Sequence, residues 1–64
     1  MPDPDEREVY FEFTRIGNIV KITAIDSATA TEVSVMGPAN VAQSDLERVA
    51  LRKLKARLKR EGEI

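Results

Sequence analysis

Residues 44–60, SDLERVALRKLKARLKR, constrain the fold more than any other stretch, because only here do apolar residues recur over a long run at helical spacing. At about 100° per residue, Leu46, Ala50, Leu51, Leu54 and Leu58 fall within one arc of less than half the circumference, the width of a stripe that faces a core. Arg48, Arg52, Lys55 and Lys59 take the opposite arc, with Lys53 and Arg60 on one shoulder, so the solvent side of this amphipathic helix is almost wholly cationic. Val49 and Ala56 lie outside the stripe, on a small-residue edge. Two starts fit the helix. Ser44-x-x-Glu47 has the capping-box form, in which the serine oxygen accepts from a backbone N–H and the glutamate reaches back, and Asn40-x-x-Gln43 offers the same arrangement one turn earlier. Asp45 and Glu47 at the positive end, and Lys59 and Arg60 at the negative end, suit the helix dipole. Gly62 is the expected stop.

The apolar stripe needs a partner, and the preceding sequence supplies strands. Over residues 8–15, Val9, Phe11 and Phe13 point one way and Glu8, Tyr10, Glu12 and Thr14 the other, the pattern of a half-buried strand. Gly17-Asn18 tolerates positive φ and separates this run from the next, so a tight hairpin is expected there. Residues 19–25 form the second strand, with Val20, Ile22 and Ala24 inward and Ile19, Lys21, Thr23 and Ile25 outward. Asp26-Ser27-Ala28-Thr29 follows as a turn in which Asp or Ser side chains bond backbone N–H groups two residues on. A third strand over 30–36 places Val33 and Val35 on the core side, and Gly37-Pro38 is expected to end it, since proline cannot donate to a ladder. The fold class is therefore α+β: a three-stranded antiparallel meander packed under one C-terminal helix, β-β-β-α.

Length limits the rest. A chain of 64 residues removes only about 60% of its unfolded surface from water, so its core is marginal without a staple. There is no Cys for a disulfide, and no Cys or His for a zinc site, which leaves oligomerisation as the remaining common route to stability. Residues 1–7, MPDPDER, combine two prolines with four charges and almost nothing to bury; they read as a mobile arm before a single domain over 8–64. They lack the basic start and apolar stretch of a signal peptide, and no apolar run approaches the roughly 20 residues of a membrane span. A cytoplasmic protein is expected.

The segments EVYFEFTRIGN (8–18), AIDSATATEV (24–33), GPAN (37–40) and LERVALRKLKARL (46–58) resemble a family of very small bacterial proteins of unknown function. The resemblance spans nearly the whole chain. It implies a free-standing bacterial cytosolic protein and assigns no catalytic or binding residue.

Chemistry finds little support in the residues themselves. Without His or Cys, the usual general base and the strongest nucleophile are missing, and Ser27, Ser34 and Ser44 each have a turn, strand or cap role. The pairs Asp3/Asp5 and Glu8/Glu12 sit on the arm or on an outward strand face. No acidic loop has the dense alternation of a calcium site. The chain reads as no enzyme, with no cofactor and no metal.

The two strand edges lack partners and are candidate docking surfaces, and two side-chain surfaces join them. Tyr10, Ile19, Ile25 and Met36 form an outward apolar set that on so small a chain marks self-association, and a homodimer is expected; an unknown protein partner is the other possible occupant. Arg48, Arg52, Lys55 and Lys59 form a candidate anion or nucleic-acid face. The charge distribution weighs against that second use. Asp and Glu outnumber Lys and Arg 7 to 3 over residues 1–32, and Lys and Arg outnumber Asp and Glu 7 to 4 over residues 33–64, giving −4 and +3 and a net charge of −1. Dedicated nucleic-acid binders carry a basic excess overall. Tyr10-Phe11-Glu12-Phe13 is not read as a stacking platform either, because alternation sends Phe11 and Phe13 to the core and leaves Tyr10 between two glutamates.

Overall fold

Residues 8–64 are described in a computed structural model, and the arm expected over 1–7 lies outside them. The described chain runs β1 (Val9–Ile16), β2 (Ile19–Asp26), β3 (Glu32–Pro38) and α1 (Gln43–Arg60). The strands make one antiparallel sheet in the order β1-β2-β3, and α1 lies across one face of it. This is the β-β-β-α arrangement that the alternation and the helical stripe predict.

Each junction has a local cause. Gly17 takes φ 59°, and Ile16 pairs with Ile19 across it, so the first hairpin closes in two residues with glycine in the first central position. At the second turn the Asp26 carboxylate accepts from the backbone N–H of Thr29 at 3.0 Å and from its hydroxyl at 2.7 Å. The bonded amide is thus three residues on, not two. Ala30 is driven to φ 59°, a conformation costing a non-glycine residue roughly 1–2 kcal/mol. That kink delays β3, which starts at Glu32 and not at residue 30.

The end of β3 also differs from expectation. Gly37 and Pro38 belong to the strand, paired with Val20 and Ile19. Proline is tolerated because position 38 turns its nitrogen to the free side of the sheet, where no ladder bond is lost. Gly37 has its own reason: a Cβ there would stand 2.8 Å from Cδ2 of Leu46, so its bareness lets the first turn of α1 approach the sheet.

Neither expected cap is used at the helix start. The N-cap is Ala42, extended at φ −61° and ψ 133°, and no side chain bonds the first-turn amides. The loop after Pro38, where the Val41 N–H donates to the Pro38 carbonyl, delivers the chain between the two candidate caps. The other end follows the sequence. Gly62, at φ 78°, donates to the Lys59 carbonyl, and Glu63 donates to that of Leu58, the paired bonds of a Schellman stop.

Val20, Ile22, Ala24 and Val35 from the sheet meet Leu46, Ala50, Leu54 and Leu58 from α1 in one buried cluster. The helix packs on β2 and β3. Its Val49 flank leans onto the cluster, whereas Leu51, counted in the stripe, is only half-buried. The offset has a consequence for β1. Phe11 and Phe13 share the helix-bearing face, opposite Ala24 and Ile22, yet they remain 38% and 49% exposed. Core packing of both rings was expected and is not found. A helix is about 10–12 Å across and strands lie about 4.8 Å apart, so one helix centred on two strands leaves the third uncovered.

Candidate functional site

The register divides the outward apolar set into two groups. Tyr10 pairs with Ile25, which pairs with Glu32, at one end of the outer face. Ile19 lies between Ile16 and Pro38 at the other end, next to the row Thr14, Lys21, Met36. Between them runs the polar row Glu12, Thr23, Ser34, whose two hydroxyls bond each other at 2.8 Å. Ile25, flanked on both sides in the central strand, is half-buried, while Tyr10, Ile19 and Met36 are well exposed. Ile16, 68% exposed, joins them; it lies one residue beyond the alternating run 8–15 and is carried by β1, which extends to it. Thr14, Ile16, Ile19, Lys21 and Met36 line a shallow hollow of about 110 Å³.

β1 unites the two faces. Every residue from Tyr10 to Ile16 is exposed, on both sides of the sheet. Its backbone also has a free side: among the described residues, no strand pairs with β1 except β2. The Ser27 N–H donates to the Glu8 carbonyl at 3.1 Å, which fixes which groups face outward. With a constant register, Tyr10, Glu12, Thr14 and Ile16 bond β2, and Val9, Phe11, Phe13 and Arg15 turn their N–H and C=O groups away from it.

The Tyr10 hydroxyl donates to Glu8 Oε2 at 2.8 Å, and that bond, reinforced by the carboxylate's charge, raises the phenol above its ordinary value.

The candidate anion face is carried by α1. Arg48, Arg52, Lys55 and Lys59 all stand exposed, and Arg48 leans toward Asp45 at 3.8 Å. Lys53, Arg57 and Arg60 gather instead on the flank beside β3, where with Val33 and Ala56 they border an open hollow of about 300 Å³. Arg57 is held there by Glu61 at 3.1 Å. Among the described residues no group of His, Cys, Asp or Glu gathers as a metal site, and no helix is long and apolar enough to cross a membrane.

A family model described as a domain of unknown function, DUF6898, matches residues 6–61. The chain belongs to that family. The DUF6898 match takes in all three strands, both turns and α1 through its Glu61 cap, so the resemblance seen in the sequence to a small family of unknown function holds over the whole fold. No curated protein and no solved structure matches this DUF6898 chain.

Proposed function

We propose that this chain is a non-enzymatic association protein, a homodimer that serves as an accessory or adaptor subunit in the bacterial cytoplasm. The observation that carries the reading is β1, which presents Phe11 and Phe13 on one face, Tyr10 and Ile16 on the other, and between them a backbone side that no other described strand pairs. Large apolar side chains concentrated on one strand of so small a protein are a contact surface awaiting cover. The residue types agree: with no His or Cys, and with the hollows wide open to solvent, association explains more of the surface than catalysis does.

Light scattering at low micromolar concentration tests it. The expected mass is twice the 7.1 kDa of the chain. A compact monomer persisting at high micromolar concentration would overturn the reading.

A second reading, nucleic-acid binding, rests on the exposed row Arg52, Lys55 and Lys59. Salt separates the two. Phosphate contacts weaken steeply as ionic strength rises, and apolar self-association does not.

A further inference from the structure

Resting on the self-association reading, we infer that two copies join edge to edge through β1, antiparallel about a twofold axis at Phe13, to make one six-stranded sheet. β1 is the better of the two edges. It is the longer strand, and within Val9–Ile16 it carries no proline, no lysine and no glycine, its charges being Glu12 and Arg15 alone. β3 ends in Gly37-Pro38, opens with Glu32, and loses an outward donor at the proline.

The register follows from symmetry and charge. Opposed residues in an antiparallel pair share a face, so a twofold axis must place one residue of β1 opposite itself. An axis at Glu12 brings two carboxylates together at the closest spacing a sheet offers, which is destabilising. An axis at Phe11 pairs only residues 9–13 within the strand. An axis at Phe13 pairs 10–16 and opposes no like charges.

The pairs it creates are complementary. On the helix-bearing face Phe13 meets the partner's Phe13, and Phe11 lies against the partner's Arg15, where a guanidinium over a ring is attractive. On the outer face Tyr10 meets the partner's Ile16, and Glu12 meets the partner's Thr14. Lys21, paired with Thr14 in the register, shares the row that the partner's Glu12 would extend. The outward N–H and C=O groups of Phe11, Phe13 and Arg15 all gain ladder bonds. A second copy fits this edge better than an unrelated extended peptide because the strand's own sequence supplies each complement.

Cysteine cross-linking of the full chain reads the register directly, since the natural sequence contains no thiol. Phe13→Cys, Phe11→Cys, Glu12→Cys, Met36→Cys and the double variant E12C/T14C are oxidised gently and resolved without reductant, with the mass of each measured before oxidation. Phe13→Cys and E12C/T14C are expected to form covalent dimers at least tenfold faster than the other three, because only they bring Cα atoms within disulfide reach across the axis. The double variant keeps both phenylalanines, so it decides the matter if loss of the Phe13 ring loosens the pair. A dimer whose fastest link is Met36→Cys would overturn the edge and leave self-association standing. Fastest linking at Phe11→Cys or Glu12→Cys would overturn the register. A monomer would overturn both this inference and the reading beneath it, and a mass above a dimer would exclude a twofold edge that closes on itself.

Discussion

The phenol of Tyr10 gives the outer face a built-in reporter, because the chain has one tyrosine and no tryptophan. Its hydrogen bond to Glu8, and then the charge of that carboxylate, favour the neutral form, so its folded-state pKa stands above the ordinary 10.0. The sign follows. A pKa raised by folding contributes stability at pH below the unfolded value, and the contribution is lost as pH rises through the folded one. Titration followed by phenolate absorbance should give a midpoint above 10.0, and Glu8→Gln should move it down; a natural-sequence midpoint at or below 10.0 would show that the bond is not kept in solution. Residue by residue, period-two alternation assigned the faces correctly, including Tyr10 outward and Phe11 and Phe13 on the helix side. It could not say which inward residues are covered, since alternation fixes direction and coverage depends on where the helix lands. Asp26 shows the same limit. Its turn role was legible, but its complete burial, on the helix face at the end of β2, was not.

At the scale of the element, α1 was the most legible part of the chain and its start the least. The stripe of Leu46, Ala50, Leu54 and Leu58 is the buried face, as its spacing requires. Leu54 is fully buried at its centre. Leu54→Ala should cost about 2–5 kcal/mol, against a core that supplies no more than about 3–5 kcal/mol in total, so circular dichroism should find the variant largely unfolded at room temperature. An unchanged melting temperature would mean that the stripe is not buried. The caps could not be read because two polar residues competed on equal terms, and the connection from β3 seats the chain between them at Ala42. That leaves room for improvement. Ala42 already has the extended backbone of a cap, so Ala42→Ser supplies the missing acceptor and should stabilise by about 0.5–2 kcal/mol, seen as a higher denaturant midpoint at unchanged slope. No gain would show that the first-turn amides are already well satisfied.

At the scale of the molecule, the fold is a two-layer solution with one layer too narrow: α1 spans β2 and β3, and β1 beyond Val9 stands exposed. The mismatch was not visible in the sequence, where three amphipathic strands and one amphipathic helix look balanced. The uneven charge is visible there, and it bears on nucleic acid. The cationic row of α1 belongs to a chain of net charge −1, with Glu8 and Glu12 on β1, so long-range attraction to phosphate is weak. A labelled duplex or single strand should show no sub-micromolar binding at physiological salt; tight binding that collapses with salt and with Arg52→Glu plus Lys55→Glu would promote that reading. Covering β1 with a second copy instead links folding to mass action. A dimer that unfolds to separate chains loses about 1.4 kcal/mol of stability for each tenfold dilution. The melting temperature should therefore climb steadily with protein concentration. It should change little with added salt, because the surface being covered is chiefly Phe11, Phe13, Tyr10 and Ile16 and not a row of charges. Phe13→Lys, which places a cation on the half-exposed position opposite Ile22, should abolish the concentration dependence and leave a less stable monomer. Concentration-independent melting of the natural chain would mean that β1 stays bare in solution, and would turn the search toward a different protein as its cover.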